Sequence, residues 1–163
     1  MRRVISNTTP IVALLKIGHL HLLDGLYGQV IVPKAVWMEI EAGRSTKYYV
    51  DLSSLPWISI QALKEPERLT QFKDLDSGVA EVLALAQEIQ ADLVIIDEVL
   101  ARLAAKHVGL CITGPLGLLL RAKEQCIISG ITPLIIQLTE QGIWLSKALI
   151  QEILQLSGEI KSS

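Results

Sequence analysis

The chain has 163 residues, a formal net charge of −2 and an apolar fraction of 50%, with aromatics at only 4%. Its length suits one domain whose core needs no staples, and its mean hydropathy of +0.43 with so few rings predicts a core of Leu, Ile, Val and Ala, as in a buried parallel sheet under helices. The charge excludes a global basic field for nucleic acid, and no uncharged apolar run reaches the ~18 residues of a membrane span.

"RRVIS" reads as a first strand. "TPIVALLKIGHLHLLDGLYG" reads as a helix, a turn at Gly18 and a second short helix, with Pro10 at a first helical position. Arg2 and Arg3 before Val4 and Ile5 imitate a signal peptide. Ser6 to Pro10 interrupts the apolar stretch, however, and no small-residue cleavage site follows, so a cytoplasmic protein is expected. "QVIVP" is a second strand, and "PKAVWMEIEAG" has helical spacing with Gly43 as its stop. "RSTKYYVDLSSLP" is irregular, "WISIQAL" is a third strand, and "EPERLTQF" suits a short helix. "LDSGVAEVLALAQEIQ" is the clearest helix, with Asp76 as N-cap and Val79, Leu83 and Ala86 on one face. "ADLVIID" is a buried strand ending in an acid, "EVLARLAAKHVG" a helix stopped by Gly109, and "LCITG" a fifth strand. "PLGLLLRAKEQC", "TPLIIQLTEQG" and "SKALIQEILQLSG" are three further helices, the last capped by Ser146 and stopped by Gly158. The final "KSS" reads as a frayed tail.

Strand and helix therefore alternate, which predicts an open parallel sheet with helices on both faces and added C-terminal helices. In such sheets ligands bind beyond the carboxyl ends of the strands. Ser6, Asn7 and Thr8 follow the first strand, Asp97 and Glu98 the fourth, and Thr113 ends the fifth. If these strands are neighbours, their polar tips converge. Glu39 and Glu81 could reach the same patch from helices. Carboxylates and amide oxygens together suit a hard cation, Mg²⁺ or Mn²⁺, which can activate water and stabilise an in-line phosphoryl displacement. Each residue also has a plainer role. Asn7, Asp76 and Asp97 stand where helix N-caps are needed, and Glu39, Glu41, Glu81 and Glu98 would serve as solvated helix residues. Cys111 and Cys126 have no CxxC or metal-ligand spacing, and His19, His21 and His107 lack ligand spacing too.

Five stretches in order carry a resemblance: "SNTTPIVAL" from Ser6 to Leu14, "VPKAVWMEI" from Val32 to Ile40, "LDSGVAEVLALA", "ADLVIIDE" from Ala91 to Glu98, and "TGPLGLLLRAK" from Thr113 to Lys123. The chain resembles PIN domains, close to the VapC-like toxins of prokaryotic toxin–antitoxin modules and to a PIN-like branch with these motifs. The resemblance implies one three-layer α/β/α domain over residues 1–163, with a central parallel sheet of about five strands and the helices from about 131 packed on the core. It implies a Mg²⁺- or Mn²⁺-dependent ribonuclease in which Asn7 takes the place of the first aspartate, Glu39 and Asp97 match further acids, and Thr113 matches a polar neighbour. Two positions depart from the pattern. Asn7 offers a neutral oxygen where the family has a carboxylate, and Val79 stands where it has a glutamate. Glu81 lies two residues along the same helix, about 200° of rotation away.

Two functions follow as expectations. One is a ribonuclease toxin, with Asn7, Glu39 and Asp97 catalytic, these three and Glu81 around the metal, Ser6, Thr8, Glu98 and Thr113 lining the site, and Arg2, Arg3, Arg102 and Lys106 on phosphates. RNA, a small antitoxin-like DNA-binding protein and a second copy of the chain would be its partners. The other is a degenerate PIN-like module that dimerises and binds such a protein, or nucleic acid, without cleaving. A phosphoacceptor receiver domain wants an acid pair after the first strand and a lysine after the fifth, where "SNTT" and "TGP" stand. A dinucleotide fold wants a glycine-rich first turn, which is absent.

Overall fold

The computed structural model describes residues 2–160, so the tail read from "KSS" lies outside the described residues. Five parallel strands form one sheet in the order β3-β2-β1-β4-β5: β1 is Val4–Ser6, β2 Val30–Pro33, β3 Ile58–Gln61, β4 Leu93–Ile95 and β5 Ile112–Thr113. Every residue of the three inner strands is buried, whereas the outer strands β3 and β5 are only half-buried. That is why "VIS", "VIVP" and "LVI" are near-continuous apolar runs rather than alternating ones.

The helices are α1 Thr8–Lys16, α2 Leu22–Tyr27, α3 Lys34–Ala42, α4 Ser77–Glu88, α5 Val99–His107, α6 Pro115–Glu124, α7 Thr132–Glu140 and α8 Lys147–Ser157. Together with the sheet they build the three-layer α/β/α architecture expected from the alternation. α4 lies on β1 and β2 and packs on α3, which packs on α1. Seven of its residues, Val79, Ala80 and Val82 to Ala86, are buried, because a helix over the sheet's centre is covered on most sides. α2 meets β2 and α6, and α6 meets α8. Ile131, Leu134, Ile135, Leu138 and Ile153 carry the last two helices into the same apolar core.

Several details differ from the sequence reading. Pro10 is the third residue of α1, not the first. Pro66–Phe72 is a 3₁₀ helix, not an α-helix, and a second 3₁₀ turn, Leu52–Ser54, lies in the stretch read as irregular. The fifth strand keeps only Ile112 and Thr113, since an outer strand has one neighbour to pair with. Asp97 is not an N-cap: Glu98 holds that position on α5.

Candidate functional site

Register places the polar tips together. Ser6 stands opposite Ile95, and Ile95 opposite Thr113. The ladder runs one step beyond the strands: Asn7 N–H donates to Ile95 O at 2.9 Å, and Ile96 N–H to Thr113 O at 2.9 Å. Asn7, Asp97 and Gly114 therefore leave the sheet on the same edge. α3 begins directly after β2, so Glu39 rises one turn above that edge.

A depression of about 80 Å³ lies there, lined by Asn7, Thr8, Thr9, Glu39, Asp76, Gly78, Val79 and Glu98. Asn7 is only 3% exposed. It holds the N-cap position of α1, yet its side chain makes no capping bond. Its carbonyl is fixed by the buried Ser6 hydroxyl at 3.0 Å. Thr8 Oγ1 beside it is buried with no hydrogen-bond partner, a costly state for a hydroxyl unless something absent completes it. Asp76 likewise holds the N-cap position of α4 without capping it. Sequence reasoning took Asp76 for a cap and left Glu98 among the lining residues. The fold turns both toward Glu39.

The electrostatics bear this out. Burial raises the Glu98 pKa, and the charges of Asp76, Asp97 and Glu39 raise it further. Like charges at one site repel, so the neighbouring carboxylates make Glu98 harder to ionise. The ion pairs among the described residues are Arg68–Glu65 and Lys123–Glu159, so none of these four acids has a cationic partner.

Asp97 faces the other side of Glu98, into a larger cleft of about 550 Å³ that Thr113, Gly114 and Arg102 also line. Arg102 thus stays close to the site. Lys106, one turn further along α5, is exposed and lines neither cavity. Arg2 and Arg3 are not near the acids. They precede β1 and so lie at the amino edge of a parallel sheet, the end opposite Asn7. There Arg3 bonds Asp92 and Ile89, and Arg2 lies over the Tyr27 ring. Glu81 does not line the depression; Val79, 4% exposed, forms its wall instead. The 200° between the two positions sends Glu81 elsewhere, as the helix geometry requires. Glu41 accepts a hydrogen bond from Tyr49 at 2.5 Å, and that bond, with burial and the Glu41 charge, pushes the Tyr49 phenol up to about 12.

The donor set fits a hard divalent cation in kind: oxygen atoms only, with negative charge left uncompensated. As the side chains stand, no three His, Cys, Asp or Glu among the described residues are arranged to hold one ion. Closing on an ion therefore requires rotation of the exposed Glu39, Asp76 and Glu98 side chains, none of which is tied by a hydrogen bond among the described residues.

The family profile DUF3368, described as a PIN domain, matches residues 3–159. No curated protein matches the chain. The profile spans nearly the whole sequence, and the chain belongs to this PIN-domain family.

Proposed function

We propose that this PIN domain is a divalent-metal-dependent ribonuclease, the toxin of a two-gene toxin–antitoxin module. The observation that carries the reading is the unpaired acid group at the carboxyl edge, where burial first, and then the charges of Asp76, Asp97 and Glu39, raise the Glu98 carboxyl. Glu39, Asp76 and Glu98 would hold Mg²⁺ or Mn²⁺ from the depression, with Asp97 approaching from the cleft. A divalent ion supplies the Lewis acid that stabilises phosphodiester charge and lowers the pKa of water. Asn7 adds a neutral oxygen at a fixed position, since its backbone is held on both sides by Ile95 and Ser6. The toxin role rests on the resemblance of "SNTTPIVAL" and "ADLVIIDE" to such proteins. A homodimer draws support from α5, whose Val99, Leu100 and Leu103 are exposed.

A second reading is favoured by two residues. Asn7 brings no charge, and Val79 closes one wall with a side chain that cannot ligate. On that reading the domain has kept its binding surface and lost turnover. Titration with Mn²⁺, followed by RNA cleavage with and without EDTA, separates the two. Cleavage that needs the ion and fails in Asp97→Ala and Glu98→Gln supports the ribonuclease. RNA or partner binding with no cleavage at any metal concentration sinks it and leaves the binding module.

A further inference from the structure

The cleft beside the acids has a feature the sequence reading did not single out. Trp144, in the turn between α7 and α8, is 82% exposed and forms one side of the cleft. Large apolar rings are rarely left so bare, and an exposed one beside a cavity points to a ligand surface. The turn that carries it is held from both ends. Gln141 accepts a hydrogen bond from Tyr48 at 2.7 Å, and Ser146 caps α8 by accepting from Leu149 N–H. The indole is therefore presented by an anchored turn rather than by a loose end.

Across the cleft stand Asp97 and Arg102. Gly114 leaves the space between them open: a Cβ there would sit 3.9 Å from Asp97 Oδ1 and 3.9 Å from Arg102 Nη1. Arg102 is the cation among the residues lining the cleft, and it forms no ion pair among the described residues. Ile112, Leu116 and Leu149 make the rest of the wall apolar. The cleft shares Glu98 with the acid depression, so whatever fills it is continuous with the acids. Its volume lies in the range of ligand sites, roughly 300–1,000 Å³.

Resting on the ribonuclease reading, we propose that this cleft seats the nucleotide beside the scissile phosphate of a single-stranded RNA, with its base stacked on Trp144 and its phosphate held by Arg102. The flat π-face of a base matches an indole face, and stacking accepts any base. The guanidinium matches one phosphate. A duplex keeps its bases stacked on each other and has none to offer Trp144, so the cleft selects single strands.

The test measures binding of a fluorescein-labelled single-stranded RNA, and of its duplex, by anisotropy with Ca²⁺ in place of Mg²⁺. Cleavage is followed separately in Mn²⁺. Trp144→Ala is expected to weaken single-strand binding about 5- to 150-fold, to leave duplex binding unchanged, and to raise KM more than it lowers kcat. Trp144→Phe restores most of the loss. Arg102→Gln weakens binding and lowers its salt dependence by about one ion. Leu156→Ala, which removes an exposed apolar side chain from α8 outside the cleft, behaves as wild type. Wild type that cleaves RNA, with Trp144→Ala binding as tightly, overturns the cleft proposal and leaves the ribonuclease standing. Wild type that neither binds nor cleaves RNA overturns both. A fall in oligomer mass by light scattering in Trp144→Ala, with RNA binding intact, assigns the indole to a protein contact and overturns the proposal as well.

Discussion

At the carboxyl edge of the sheet three acids gather around Glu98 with no ion pair among the described residues; near the far end of the chain one glutamate is met by five donors. Glu159 accepts from Ile131 N–H, Thr132 N–H, Thr132 Oγ1–H, Ser157 Oγ–H and Lys123 Nζ. Burial alone would push its carboxyl up, but the hydrogen bonds from Thr132, Ile131 and Lys123 outweigh that and hold it down at about 2. Glu98 moves the other way, raised by burial and then by Asp76, Asp97 and Glu39. One carboxylate is complete and clamps α7 to the end of α8. The others are incomplete, and the fold spends stability to keep them together. Unlike signs of shift separate a structural acid from one held ready for something else.

The comparison breaks first on activity. Glu98→Gln is expected to lower Mn²⁺-dependent RNA cleavage on the order of 100-fold, the scale of losing one group that meets developing charge, while Glu159→Gln leaves kcat of the folded protein unchanged. Equal losses in both, measured by single-turnover cleavage, would erase the distinction. On stability the order reverses. Glu159→Gln is expected to cost about 2 kcal/mol, because charged hydrogen bonds are lost and the Lys123 ammonium keeps only the Ser157 carbonyl. Urea unfolding reads this directly. Asn7→Asp adds a fifth acid to the edge. It is expected to tighten Mn²⁺ binding about tenfold by adding ligand charge and to lower the melting temperature of the metal-free protein, as seen by calorimetry in EDTA with and without ion.

The smallest effects concern pH, and their signs are opposite. The Glu159 contribution is complete above the ordinary carboxyl value of 4.5 and is lost as pH falls toward 2. Glu98 binds a proton more readily in the folded protein than in the unfolded chain, so its contribution weakens stability as pH rises through the interval just above 4.5. Glu98→Gln should flatten the second slope and stabilise the metal-free protein by about 0.5 kcal/mol at neutral pH, a small value because the side chain is largely exposed. Acid titrations of the two variants followed by circular dichroism distinguish the slopes. A stabilised Glu159→Gln would count against the clamp.

The strands, most helices and the edge where polar residues gather were legible, because buried parallel strands announce themselves as short apolar runs and the helices by period and caps. Reading residue by residue failed where a position has two uses. Asp76 looks like an N-cap and occupies one, but its carboxylate does not cap. Asn7 does the same on α1. Arg2 and Arg3 lie close to Asn7 in sequence, yet a three-residue strand puts them at the opposite edge. Glu81 is two residues from a site position and on another face. Trp144 carried no signal at all, since an aromatic between two helices reads as core until its neighbours are known.

The place of β1 in the sheet has a consequence for how the chain comes off the ribosome. Of the five strands of this sheet β1 is made first, and it is the central one, flanked by β2 and β4. Its start is sewn to the β4 side through Arg3 and Asp92, 89 residues apart. Synthesis at ~5–20 residues per second leaves roughly 3–12 s between the end of β2 at Pro33 and the start of β4 at Leu93, in which β1 has one neighbour and an open flank. During that interval the nascent half-sheet of β1, β2 and β3 presents unpaired backbone and bare Val and Ile to other chains. Asn7 has no Ile95 carbonyl to bond until β4 arrives, so the corner that carries the acids is assembled late, by the same event that closes the sheet.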